Sequence, residues 1–181
     1  PTKEAQYDVF PPCGVVPFRG LVLFVTPLCY LYDRVDELYN TFRHLYTRYF
    51  CRLSVVSSEP NSIMTLCHQF EALLHTQLPT VSYHLLQLRV QPLKIAFGWI
   101  MFAFAGSLEL DQLLLLWDRI LAYDSLLLLP TLAVAIFSFR QRALLECTTA
   151  EEVHPTTPHY TPPATSTTPL STLPCPLPQQ H

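Results

Sequence analysis

Apolar residues recur at helical spacing through most of this chain, and the breaks between the periodic runs fall at proline, glycine and small polar residues. From Gly20 to Tyr32 the sequence is largely apolar, with Pro27 placed to start or kink a helix. A cleaner amphipathic run follows. Leu38, Phe42, Leu45, Tyr49 and Leu53 share one face and Arg43, Arg48 and Arg52 the other, with Asp33 or Asp36 expected as the cap. The basic side reads as a solvated face whose charge suits a helix C-terminus. Ser57-Ser58-Glu59-Pro60 predicts the next start, with Ile63, Leu66, Phe70, Leu73 and Leu74 as its stripe and a stop near Gln77.

A short helix through Tyr83, Leu85, Leu86 and Leu88 comes next. Pro92 then restarts the chain into an apolar helix carrying Phe97, Trp99, Ile100 and Phe104, which Gly106 is expected to end. Ser107 is the expected cap of the following helix, with Glu109 and Asp111 in its first turn. Leu113, Leu116, Trp117, Ile120 and Leu121 form its stripe, and Leu114 and Leu115 fill the opposite side, which predicts a central helix. Asp118 and Arg119 would then sit where water is scarce, so at least one should be paired or hydrogen-bonded. A last helix is predicted from about Ser125 through Ala133, Ala135, Phe137 and Phe139 toward Leu145, with Pro130 near its first turn. After Cys147 the periodicity vanishes.

Composition divides the chain further. Eight of its 17 prolines lie in residues 148–181, which contain Glu151 and Glu152 but no Lys or Arg. That stretch predicts a disordered, Thr/Pro-rich tail. Residues 1–17, with four prolines, predict an extended lead-in, leaving 18–147 as the helical domain. Half the residues are hydrophobic and only 14% charged, against roughly a quarter charged in ordinary soluble domains. The apolar windows, twelve residues from Ile95 to Gly106 and fifteen from Ser125 to Phe139, fall short of the roughly 18 that a membrane span needs. The chain starts at Pro1, without Met or signal peptide, which suggests a fragment whose upstream part is missing.

These features exclude several function classes. A net charge of −3 with scattered basic residues gives no nucleic-acid footprint. Four glycines, Gly14, Gly20, Gly98 and Gly106, cannot build a phosphate cradle. The six cysteines form no C-x-x-C pair and read as free thiols of a reducing compartment. His68 and His75 lie two helical turns apart, about 10 Å, too far to share a zinc ion. Cys67 points away from His68 around the helix, against thiol catalysis. No cofactor is implied.

Motif order goes further than composition. Leu78-Pro79-Thr80-Val81-Ser82-Tyr83-His84-Leu85 resembles the L-P-x-L-x-x-H-L segment of the TBC domain, the fold of Rab GTPase-activating proteins. In register, Pro92 to Trp99 resembles the family's segment leading to a tryptophan. Leu116-Trp117-Asp118-Arg119-Ile120-Leu121 resembles its L-W-D-x-x-L helix, and Leu128-Leu129-Pro130 the apolar helix after it. Upstream, Arg19-Gly20-Leu21 and Thr26-Pro27-Leu28 align with Y-x-Q-G-M and the A-P-L that follows.

The resemblance implies an all-α fold, the C-terminal helical part of a TBC domain, and a Rab-family small GTPase as partner in vesicle traffic. It places the chain inside the cell, in the cytoplasm and peripheral to membranes. In the family, a Gln from the Y-x-Q-G-M motif and an Arg from an I-x-x-D-x-x-R motif enter the GTPase site together. Here Arg19 stands at the Gln position and Pro17 at the Tyr position, and no I-x-x-D-x-x-R occurs in the 181 residues. The expectation is a GTPase-binding chain with weak or no activation and no catalytic residue of its own. The alternative is a non-catalytic interaction scaffold. Gly20, Pro27, Leu78, Pro79, His84, Trp99, Trp117, Asp118 and Arg119 read as family scaffold, and the apolar excess as a face that meets an upstream half of the domain.

Overall fold

The computed structural model describes residues 20–56 and 61–156. Their helices are α1 (Leu21–Val25), α2 (Val35–Arg48), α3 (Ile63–Gln77), α4 (Pro79–Gln87), α5 (Pro92–Met101), α6 (Leu110–Tyr123), α7 (Leu128–Phe139), α8 (Gln141–Glu146) and α9 (Ala150–Thr156). Short 3₁₀ turns, Thr26–Tyr30 and Phe50–Leu53, follow α1 and α2. The described residues contain no strand, and the fold is all-α.

Proline sets the starts as expected. Pro79 and Pro92 occupy the first turns of α4 and α5, where the missing N–H costs nothing, and Pro27 opens the 3₁₀ turn after α1. The caps differ from expectation. Arg34 precedes α2 with no side-chain cap; Asp36 and Glu37 lie in the first turn, where Arg34 pairs with both. Ser62 caps α3 by accepting a bond from the Thr65 backbone N–H; the predicted start at 57–60 lies outside the described residues. Ser107 does not cap α6, and its buried hydroxyl has no partner among the described residues.

The helix ends form a pattern that glycine does not explain. At α4, α5 and α6 the chain closes with paired 6→1 and 5→2 backbone bonds. These are Val90 N to Leu85 O with Arg89 N to Leu86 O, Phe104 N to Trp99 O with Ala103 N to Ile100 O, and Ser125 N to Ile120 O with Asp124 N to Leu121 O. That bonding requires a left-handed residue, usually Gly; here Arg89 (φ 57°), Ala103 (φ 47°) and Asp124 (φ 48°) serve. The α5 helix therefore stops at Met101, ahead of Gly106, and Phe104 is buried in the turn beyond it.

The core is one contiguous cluster of buried side chains in which the aromatic rings form two groups, and α3 is its central helix, packing against α4, α5 and α7. Leu66, Phe70 and Leu74 of its predicted stripe are essentially inaccessible. Phe70 meets Phe137 of α7 at 5.7 Å, and Trp99 meets Phe137 and Phe104, each at 6.0 Å. The second group lies around α1, where Phe24 stacks on Phe50 at 4.7 Å and Phe50 meets Trp117 at 4.9 Å. The turn after α5 links them: Phe102 faces Phe24, Phe104 faces Trp99, and the Trp117 indole N–H donates to the Ala103 carbonyl at 3.0 Å.

The expectation that α6 is central fails. Leu113, Leu116, Trp117 and Ile120 turn inward, but Leu115 and Leu121 are exposed, as are Asp118 and Arg119. One side of α6 packs on the Thr26–Tyr30 turn, and the rest is left outside. Arg119 is hydrogen-bonded, to the Leu115 carbonyl at 2.9 Å, at the surface rather than in a dry interior.

Order also continues past the predicted boundary at 147. Thr149 and Glu152 stand at the spacing of a capping box, and the Glu152 carboxylate accepts bonds from the Thr148 and Thr149 N–H groups. Those bonds hold its pKa below the usual carboxylate range, and α9 follows with Val153 fully buried. The predicted disorder is thus corrected for 150–156; the remaining tail, 157–181, and the lead-in, 1–17, lie outside the described residues.

Candidate functional site

The motif residues divide sharply by environment. Leu78, Trp99 and Trp117 are buried, and Pro27 is buried in its turn. Leu78 joins α3 to α4, its N–H donating to Leu74 and its carbonyl accepting from Ser82. His84 is half-buried on α4, with Nε2 at 2.9 Å from the Cys147 carbonyl, tying α4 to the end of α8. Beside it, Ser82 Oγ lies 2.7 Å from His75 Nδ1, bracing α4 against α3. These contacts are structural. They bring no nucleophile, base and orienting group together. Gly20 leads directly into α1; Arg19 lies outside the described residues.

The basic side of α2 is only partly a solvated face. Arg48 forms a two-point contact with Asp124, at 3.3 and 3.1 Å, and the Tyr49 hydroxyl donates to the same carboxylate at 2.7 Å. This ties α2 to the left-handed end of α6 across 76 residues, and no local sequence signal announces it. The Tyr49 hydroxyl first, and Arg48 second, hold the Asp124 carboxyl below its usual range.

A carboxyl depressed in the fold contributes stability above its unfolded pKa and loses it as pH falls through the folded value. Asp124→Asn, which keeps a residue tolerant of positive φ, is expected to melt slightly lower at pH 7. It should also have a flatter dependence of melting temperature on pH below about 4. Identical acid limbs in the two proteins would show that this tie contributes nothing.

A groove of about 460 Å³ opens between α6 and α7. Leu108, Leu116, Leu128, Leu132 and Ile136 line it, with Thr131, Ala135 and Gln112 at its edge and Arg119 as its one charged residue. Sequence reading placed Leu116 on the apolar stripe of its helix without showing that two consecutive helices would leave a cleft. Among the described residues no group of three His, Cys, Asp or Glu side chains could hold a metal ion, and no helix is long and apolar enough to cross a membrane.

Comparison with known proteins places this architecture. No solved structure matches the chain. The chain is 52% identical over 144 residues to human TBC1 domain family member 19, covering 79% of this chain and 27% of that protein. It is 37% identical over 82 residues to mouse TBC1 domain family member 2A, covering 45% of this chain and 9% of that protein. The chain thus spans a minor part of each relative's length. The Rab-GTPase-TBC domain model matches residues 18–145, a span that runs from just before Arg19 to beyond Leu128-Leu129-Pro130. The chain belongs to the Rab-GTPase-TBC domain family.

Proposed function

We propose that these 181 residues bind a small GTPase of the Rab family in vesicle traffic and accelerate GTP hydrolysis weakly or not at all. Family membership supports the partner class. The observation that carries the catalytic half is Arg19 at the family's Gln position, together with the lack of an I-x-x-D-x-x-R motif within the sequence. A guanidinium donates hydrogen bonds but has no acceptor with which to orient an attacking water, so Arg19 is a poor replacement for Gln. The buried contacts of Trp99 and Trp117 and the backbone bond of His84 support a scaffold role for these residues. On this reading the chain works by holding a GTPase, with no cofactor of its own.

A pull-down against a panel of Rabs locked in the GTP-like or GDP state tests the partner. Capture of at least one Rab, in preference to GTPases of other families, is expected. Capture of none would favour a TBC-fold scaffold with other partners.

A further inference from the structure

The start of α9 meets the turn between α4 and α5. Arg89, Val90 and Gln91 of that turn, with Lys94 and Ile95 of α5 and Ala150 of α9, line a cleft of about 350 Å³. Its two charged residues, Arg89 and Lys94, are exposed cations, and neither forms an ion pair among the described residues. Residues 72–108, which supply α4, the turn and α5, contain no Asp or Glu. The acids closest to the cleft in the chain are Glu146, at the end of α8, and Glu151 and Glu152, which follow Ala150. None of the three lines it, and the Glu152 carboxylate already accepts from the Thr148 and Thr149 N–H groups.

Thr149 stands at the edge of this cleft. It is exposed, and its Cα lies one peptide, about 3.8 Å, from that of Ala150. The Thr149-Ala150-Glu151-Glu152 spacing that makes a capping box is also a charge pattern, a hydroxyl followed by carboxylates two and three residues on. Kinases of the acidophilic class read that pattern with a basic groove, and such charge patterns give kinases their substrate specificity. Among all Ser and Thr of the sequence, only Thr148 and Thr149 have an acid three residues on, and only Thr149 has a second one two residues on.

We infer that Thr149 is a phosphorylation site for an acidophilic protein kinase and that Arg89 and Lys94 receive its phosphate. In the transfer the Thr149 Oγ1 bonds to the γ-phosphorus of ATP, the bond from that phosphorus to the β–γ bridging oxygen breaks, ADP leaves, and the hydroxyl proton passes to the kinase. The product carries about −1.5 to −2 charge and three acceptor oxygens. It cannot stay against the Glu152 carboxylate, because like charges in contact repel. The cations across the cleft take it instead: Arg89 offers a planar fork to two phosphate oxygens, and Lys94 a point charge. Phosphorylation thereby exchanges a local capping contact for a tie from α9 to the turn between α4 and α5. This inference is independent of the Rab reading.

The test treats the full 181-residue chain with casein kinase II and ATP, maps the site by mass spectrometry and titrates the product by phosphorus NMR. A single phosphate on Thr149 is expected, and none in Thr149→Ala. Glu152→Gln keeps a residue type that a capping box accepts, yet it should slow the transfer about tenfold, since the kinase loses a charge-assisted contact. The phosphate of the folded chain should titrate about one unit below the same phosphothreonine in a synthetic peptide of residues 144–156, because opposite charges favour its dianion. Replacing both cations, Arg89→Gln with Lys94→Gln, should remove that difference. Thermal melts monitored by circular dichroism check that each variant folds like the parent. No transfer, transfer to another residue, or an equal rate with Glu152→Gln would overturn the inference. A phosphate that titrates alike in chain and peptide, or equally low in the double variant, would overturn it as well.

Discussion

Replacing Trp117 by alanine is expected to lower stability by about 3–5 kcal/mol, the range for emptying a large aromatic site in a packed core. The ring is 3% exposed and meets Phe50 at 4.9 Å, and its N–H holds the Ala103 carbonyl at 3.0 Å. Ala103 and Phe104 both adopt positive φ, 47° and 63°, which a side chain with a Cβ resists. The turn therefore needs tertiary support, and Trp117 supplies it from 14 residues away. Trp117→Phe keeps most of the ring contact but leaves a buried carbonyl unpaired, for a smaller loss of about 1–3 kcal/mol. Urea unfolding followed by circular dichroism measures both. A loss below about 1 kcal/mol for the alanine variant would show that Trp117 does not pin the junction between the two aromatic clusters.

The sequence made the helices legible wherever proline or an apolar stripe marked them. Pro79 and Pro92 set starts, and Leu66, Phe70 and Leu74 marked the buried face of α3. Helix ends were harder to read, because glycine is scarce and Arg89, Ala103 and Asp124 take the left-handed positions that glycine usually holds. No propensity argument singles those residues out; the bonds that hold them are tertiary or come from the helix itself. Local pattern also misplaced α6. Leu115 and Leu121 look like core by type, but a helix that packs on one side leaves such residues outside.

Helix α9 carries a local signal that the composition around it masks. Thr149-Ala150-Glu151-Glu152 has capping-box spacing, but the surrounding prolines outweighed four residues of local signal. For the site, motif order alone carries the family resemblance. It could not reveal the Arg48–Asp124 tie or the α6–α7 cleft, since both depend on residues that only the folded chain places side by side.

Hydrolysis of GTP on any Rab the chain captures is expected to rise by less than about tenfold, against the roughly 10³–10⁵ that an arginine finger contributes. The shortfall has a physical basis. Phosphoryl transfer depends on neutralising charge on the transferring phosphate and holding the attacking water in line. The family performs these tasks with an Arg and a Gln; on the proposed alignment Arg19 stands at the Gln position, and no I-x-x-D-x-x-R occurs within these 181 residues. Arg19→Gln is expected to leave the rate nearly unchanged, because an ordered water gains little where no arginine finger adds its charge at the transferring phosphate.

Single-turnover GTP hydrolysis on a captured Rab at saturating chain decides whether these residues bind a Rab without finger chemistry. A rate within about tenfold of the Rab alone is expected; acceleration of about 10³ or more would show that the chain supplies the missing groups.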